Sequence, residues 1–287
     1  MNRPFTVVTH KRWLVEQFAS MGAKQDFGFD IDPDTAMNTI WWAPGAWVAS
    51  ARRAGIRLPL MSCGPRWLSD CPKEFTGRWV DTMTVDECVN EEALKHVTGS
   101  HKVFIKLPEA KVDGFPARVH EFNRFWATTI GQYHLPGDTL VQMQSVVEFV
   151  AETRFWVAHG EIVAESPYRW MDLIWGAPEF DDAINYMAVF HWFKSIRSFA
   201  SEVVSAVPGP PGYVLDIGIS TDGKPLIVEA NAAWSSGPYD GDPAGIFEAI
   251  KASHDFEGKH PKWAWSHNPV FDKVAPLKLA KPVERVN

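Results

Sequence analysis

At 287 residues, 46% hydrophobic and 22% charged, the chain has the make-up of a globular protein and the length for two domains. Its net charge of −7, without a run of about five or six Lys or Arg, argues against a nucleic-acid footprint. No stretch nears the roughly 18 apolar residues of a membrane span. The segment "MNRPFTVVTHKRWLVEQF" lacks a signal-peptide pattern, and three cysteines (Cys63, Cys71, Cys88) without a C-x-x-C pair argue against a zinc knuckle and fit a reducing cytoplasm.

The first hundred residues alternate strand and helix patterns. "FTVVT" (5–9) is a β-branched run, and 11–22 has helical spacing with Leu14, Phe18 and Met21 on one side and Gly22 as C-cap. "NTIWWAP" (38–44) reads as a strand, 44–55 as a helix opened by Pro44, 57–62 as a third strand, and 66–69 as a short helix. This order predicts a small, mostly parallel sheet. "KVFIKL" (102–107) is then a strand, 109–116 a loop, and Pro116 opens a helix with Val119, Phe122 and Trp126 on one face. Strand patterns follow in 139–150 and 153–166. Residues 181–207 form the longest helical pattern, capped by Asp181 or Asp182 and ended by "PGPPG". Beyond about 255 the chain is expected to wrap the body as an irregular tail, with Trp263 and Trp265 as a candidate homodimer surface.

The segment "YVLDIGISTDGKPLIVEAN" (213–231) carries the chemistry. With Asp222-Gly223 as the two central residues of a hairpin turn, Asp216 falls opposite Glu229 and Val214 opposite Asn231. Side chains alternate along a strand. Asp216, Glu229 and Asn231 therefore share one face, and Leu215, Ile217, Ile219, Leu226, Val228 and Ala230 share an apolar face that must be covered. Two carboxylates directly opposite are destabilising unless something neutralises them. A hard divalent cation, Mg²⁺ or Mn²⁺, does so with oxygen ligands. Alternatively one carboxylate pairs with a Lys or Arg, or the register is shifted by one.

A cation that holds a nucleotide needs further parts. Neither a Walker A loop nor G-x-G-x-x-G after a strand is present. Lys106 at the end of "VFIKL" can act as a point charge on phosphates, or snorkel to solvent. Lys111 lies in a loop that could fold over them. Around a His159-Gly160 turn Arg154 falls opposite Glu165, as a cross-strand pair or aimed at phosphate. Glu148 and Glu152 sit in a connector that can meet an adenine edge and ribose hydroxyls. The loop "NAAWSSGPYDGDP" (231–243) is the expected substrate contact through Trp234, Ser235 and Tyr239, unless its aromatics simply pack.

Taken together, "VFIKLP", "VVEFVAETRFWV" and "DIGISTDGKPLIVEAN" resemble the ATP-grasp superfamily over about residues 100–250, with a likeness to short stand-alone members of bacteria and phages. The resemblance implies an α/β (α+β) fold: a small pre-ATP-grasp domain over 1–98, two subdomains clamping ATP over 99–255 with a hinge near 145–152, and a tail over 256–287. It implies ATP and Mg²⁺ (or Mn²⁺) as cofactors and a carboxylate–amine ligase acting on small-molecule or peptide substrates. On matching positions Lys106 would contact the α- and β-phosphates, Glu148 and the Phe149–Val150 backbone adenine, and Glu152 ribose. Asp216, Glu229 and Asn231 would hold metal. The sequence departs from the pattern in two places. The loop after Lys106 has a single glycine, so Lys111 is expected to replace some of its contacts. Val214 stands where many members carry Arg, so Arg154, Arg169 or Arg197 must meet the transferring phosphoryl charge. An ATP-dependent phosphotransferase and a non-catalytic nucleotide-binding module are the rival readings.

Overall fold

Local signals account for the start of the chain in the computed structural model, which describes residues 3–26, 28, 31–90, 102–111, 114–123, 126–187 and 192–272. Strand β1 (Phe5–Val8) leads into helix α1 (Arg12–Gln17) and a 3₁₀ turn that ends at Gly22, whose φ of 75° is the left-handed C-cap the sequence suggests. Strand β2 (Ala23–Asp26) follows. Helix α2 (Pro33–Asn38) begins with Pro33 in its first turn and the Asp32 carboxylate accepting from Thr35 N at 2.9 Å. With β3 (Ile40–Trp42) these strands form a parallel sheet of order β2-β1-β3, followed by α3 (Gly45–Arg53). Residues 57–62 are not the expected strand. Leu60 and Met61 make only single bridges, to His254 and Ala264.

Three short helices, α4 (Trp67–Asp70), α5 (Lys73–Thr76) and α6 (Val85–Cys88), flank β4 (Val80–Thr84). A second sheet, of order β4-β7-β5-β6, uses β5 (Lys102–Lys106), β6 (Arg118–Glu121) and β7 (Leu140–Ser145), with α7 (Trp126–Gly131) packed nearby. The expected helix from Pro116 is instead β6, which pairs Val119 with Phe104, and helix begins only at Trp126. The boundary expected at 98/99 falls outside the described residues. Because β4 pairs with β7, a cut there divides one sheet.

The third sheet, of order β10-β9-β8-β11-β12, holds the chemistry. It comprises β8 (Phe149–Ala158), β9 (Glu161–Trp170), β10 (Leu173–Ile174), β11 (Gly212–Ser220) and β12 (Pro225–Asn231). Helices α8 (Phe180–Met187) and α9 (Trp192–Ala206) occupy the expected long helix; its position Phe190 lies outside the described residues. Asp181 and Asp182 sit in the first turn rather than capping it. Ile196, Ala200 and Val203 of α9 cover the apolar face of Leu215, Ile217 and Ile219. Helix α10 (Pro243–Ala252), capped by Asp242, joins Phe5, Val7, Leu14, Trp156 and Val214 in one core, so the N-terminal sheet is buried against the third sheet. The described part of the tail, to Asp272, lies against the body with two short 3₁₀ turns, Pro261–Trp263 and Pro269–Asp272, as its regular structure. Trp263 packs on the α9 core, and Trp265 meets Trp234 edge-on at 5.4 Å, so these rings face their own chain. Among the described residues no helix is long and apolar enough to cross a membrane.

Candidate active site

The hairpin delivers the expected opposition by a different route. Asp216 pairs with Glu229 and Val214 with Asn231, as the alternation requires. The turn, however, spans three residues, Thr221 to Gly223, between Ser220 and Lys224. A β-bulge at Val228 restores the register, because Ile217 pairs with Ile227. Two one-residue departures cancel at the carboxylates. Past the bulge they do not: Ile227, not Leu226 or Val228, joins the apolar face.

Asp216 is fully buried, and Arg154, opposite it on β8, holds both its oxygens: Nε donates to Oδ1 at 2.9 Å and Nη2 to Oδ2 at 2.8 Å. Lys106 Nζ reaches Glu229 Oε2 from β5 of the second sheet. Asn231 Nδ2 lies between the carboxylates, 3.2 Å from Asp216 Oδ2 and 2.8 Å from Glu229 Oε1. Both acids thus meet a cation, where the alternative reading of the pair expected only one to do so. Burial pushes the Asp216 carboxyl up against the pull of Arg154, and Asp216 holds the buried Arg154 firmly protonated. Burial also acts to raise Glu229, but Lys106 and Asn231 outweigh it and hold the carboxyl at about 2.

Lys106, Arg154, Glu229 and Asn231 line a cleft of about 1580 Å³ between the second and third sheets, beyond the roughly 300–1,000 Å³ of a single small-ligand pocket, whereas the fully buried Asp216 is held behind them by Arg154 and Asn231. Lys111, Glu148, Arg169, Ser235 and Tyr239 also line it; Asp113, beside Lys111, lies outside the described residues. Glu152 accepts from the Tyr168 hydroxyl and from Arg169. Phe149 lies against Gly218, where a Cβ would come within 2.3 Å of the ring. The Phe149–Val150 backbone is less free for adenine than expected. The carbonyls of Glu148 and Val150 accept from Thr221 and Met171, which leaves the non-strand stretch 146–147 as cleft-lining backbone.

Two expectations fail. Arg154 is opposite Ser166, not Glu165, because Val163 bulges out of β9 where Gly245 of α10 presses on it; a Cβ there would lie 2.0 Å from the Val163 carbonyl. Glu165 instead pairs with Arg197, which is half exposed on α9 and does not line the cleft. Trp234 also lines the cleft, but it is 1% exposed and its Nε1 donates to the Met61 carbonyl at 2.8 Å, so most of its ring packs in the core.

Sequence reasoning missed Arg78, Gln144 and Tyr168, all in the cleft wall. Tyr168 is the extra residue of a second bulge in β9. Its ring stacks on Tyr239 at 5.1 Å and 10°, with the Arg154 guanidinium 5.4 and 5.0 Å from the two rings. Pro167 was the available signal, since a proline in a central strand marks a bulge. Arg78 carries no such local mark.

The donor set fits a hard cation. Among the described residues no three His, Cys, Asp or Glu side chains converge, so the third donor has to be the Asn231 amide, whose half-turn presents oxygen between the carboxylates. Counting two lone pairs per oxygen, Glu229 keeps one on each and Asp216 keeps one on Oδ1. Mg²⁺ needs only a few protein oxygens when phosphates complete its shell.

A family model for an ATP-grasp domain, family 3 of its clade, matches residues 40–250. Among solved structures, the chain is similar to a RimK domain ATP-grasp protein from Sphaerobacter thermophilus, at 15% identity over 87% of this chain and 97% of that one, with a TM-score of 0.47. D-cycloserine synthetase DcsG gives 13% over 86% and 97%, with 0.48. D-alanine–D-alanine ligase from Bacillus anthracis gives 10% over 88% and 97%, with 0.49. No curated protein matches.

Proposed function

We propose a function from one premise: the chain belongs to the ATP-grasp superfamily, within the family whose model it matches, and members of that superfamily are mostly ATP-dependent ligases. The chain is an ATP- and Mg²⁺-dependent ligase (Mn²⁺ serving as well) that joins a carboxylate to an amine on small-molecule or peptide substrates. The observation that carries this reading is the convergence of Asp216, Glu229 and Asn231 between Lys106 and Arg154, with Glu229 and Asn231 lining the cleft and Asp216 buried behind them.

The four charges form a neutral set, which is a resting arrangement that Mg-ATP can exchange. Phosphate oxygens compete for Lys106, and its release frees Glu229. Glu229, Asn231 and the remaining lone pair of Asp216 would hold the ion, which would supply charge neutralisation for the phosphates. Lys106 orients the phosphates, and the Val146–Glu148 connector with Phe149 receives the adenine. Glu152 is placed for the ribose, with Arg169 exchanging it for substrate at the mouth. A substrate carboxylate oxygen attacks the γ-phosphorus, the bond to ADP breaks, and an acyl-phosphate forms. The amine then attacks the acyl carbon, phosphate leaves with the bonding pair, and the amine proton is lost. Arg154, whose Nη1 reaches only the Gly237 carbonyl at 3.2 Å beyond its bonds to Asp216, is the cation best placed for the developing charge; Arg197 is not. Ser235 and Tyr239 line the acceptor side, and Lys111 stands beside the phosphate region.

The test is ADP release across amino acids, peptides and carboxylic acids paired with amines, with products identified by mass. Dependence on both partners, with free phosphate and a new amide, supports the ligase. ADP with a phosphorylated product makes it a phosphotransferase, and Mg-ATP binding without turnover makes it a binding module. Asp216→Ala should abolish release, and because it leaves Arg154 buried without its counter-charge, Glu229→Gln, which keeps that pair, is run beside it with circular dichroism to check that both variants are folded.

A further inference from the structure

Strand β12 is the edge of its sheet, and an edge strand leaves backbone groups without a sheet partner. In a regular strand consecutive carbonyls point to opposite edges, so one side chain cannot take both. At the Val228 bulge one side chain does. Arg78 donates from Nη1 to the Ile227 carbonyl at 2.7 Å and from Nη2 to the Val228 carbonyl at 3.0 Å. The same guanidinium donates from Nη1 to Thr76 O at 2.9 Å and from Nε to the Gln144 side-chain oxygen on β7. Its fork therefore bolts the bulge of the third sheet to a strand of the second, at the wall of the cleft.

Arg78 is 6% exposed, and its hydrogen-bond partners among the described residues are all neutral oxygens. Burial, only partly offset by the nearby Glu229 carboxylate, lowers its pKa to about 10, so it remains charged at neutral pH. A buried charge held only by carbonyls is costly. A hydrophobic side chain would fill the space more favourably, but could not grip two carbonyls turned to one side. Lysine would keep the charge and lose the planar fork. The residue immediately after the clamped pair is Glu229, and one residue of slip in β12 turns its carboxylate to the opposite face.

We propose that Arg78 is a positioning residue for the ion site: it clamps the Val228 bulge to Gln144 and thereby holds Glu229 in register opposite Asp216. This rests on the reading of Glu229 as a metal ligand, and the test separates the two. Mn²⁺ binding in the presence of ADP is followed by electron paramagnetic resonance, and ADP binding in EDTA by calorimetry, on the full chain. In Arg78→Lys, Mn²⁺ should bind about 10–100-fold more weakly, the range for loss of a ligand's outer support. ADP in EDTA should bind within about twofold of the parent. Gln144→Leu, which removes one anchor, should show the same pattern more weakly and covers the case in which Arg78→Lys does not fold. In Arg78→Ala, added guanidinium should restore part of the Mn²⁺ affinity. Glu229→Gln is the reference. If it leaves Mn²⁺ affinity unchanged, the ligand reading falls and this proposal with it. If Glu229→Gln weakens Mn²⁺ but Arg78→Lys and Gln144→Leu do not, the positioning role alone is overturned. An equal loss of metal-free ADP binding in Arg78→Lys also overturns it, and makes Arg78 a direct nucleotide contact.

Discussion

Arg154 and Asp216 face each other across β8 and β11 in a two-bond ion pair, with neither side chain more than 9% exposed. Such a pair costs much to break from one side and little to replace as a whole. Arg154→Met should therefore lose about 3–5 kcal/mol of unfolding free energy, because Asp216 is left buried without a counter-charge. Arg154→Met with Asp216→Leu should recover most of it. Urea unfolding of the two variants checks this; a double variant as unstable as the single one would mean that Arg154 stabilises through something other than the pair.

Gly218 lies where the Phe149 ring needs the space of a missing side chain. Gly218→Ala forces the ring to move, at a cost of about 1–3 kcal/mol for overpacking. If Phe149 is a wall of the adenine site, ADP affinity should fall as well. Calorimetry with ADP decides: a stability loss with unchanged affinity would remove Phe149 from the nucleotide site.

Deleting Val228 removes the bulge while leaving every charged residue in place. The register then runs straight from the Thr221–Gly223 turn: Ile227 stays opposite Ile217, Glu229 stays opposite Asp216 on the same face, and only the bulged carbonyl pair gripped by Arg78 is lost. ADP release should therefore be reduced but not abolished, and thermal stability should fall because the buried Arg78 loses a carbonyl partner. Turnover and stability equal to the parent in the folded deletion variant would show that the bulge does not support the site.

His254 predicts the acid limb of stability. It is 6% exposed, its Nε2 accepts from Trp41 N at 2.9 Å, and its Nδ1 lies 2.8 Å from the Ile250 carbonyl, so the neutral ring ties the N-terminal sheet to α10. Burial lowers its pKa from 6.5 to about 4. A depressed histidine binds fewer protons folded than unfolded, so its contribution is complete above about pH 6.5 and is lost as pH falls toward 4. The loss across that window should be on the order of 3 kcal/mol. Urea midpoints at falling pH measure it, and His254→Gln should flatten the slope between those values.

Much of the site was legible because it obeys local periodicity. Asp216, Glu229 and Asn231 share a face through simple alternation, and Lys106 ends a strand whose apolar residues mark it without any knowledge of neighbours. Elsewhere local pattern and global pairing disagree. Val119, Phe122 and Trp126 keep helical spacing, yet Val119 belongs to a strand paired with β5 while Trp126 opens a helix. The aromatic loop after Asn231 looked the same for Trp234, almost wholly buried beside the cleft, and the more open Tyr239, since composition does not report how deeply a ring is packed.

By itself the sequence determined strands β1 and β3 with the helices that follow them, the acid-bearing hairpin and the face its carboxylates occupy. Only the tertiary structure decided which cations meet those carboxylates, that Arg154 looks to Asp216 rather than Glu165, and that Arg78 grips the bulge. The physical reason is that side-chain alternation is a property of one strand, whereas register depends on bulges that form where other elements press or bind: α10 on Val163, Arg78 on Ile227 and Val228.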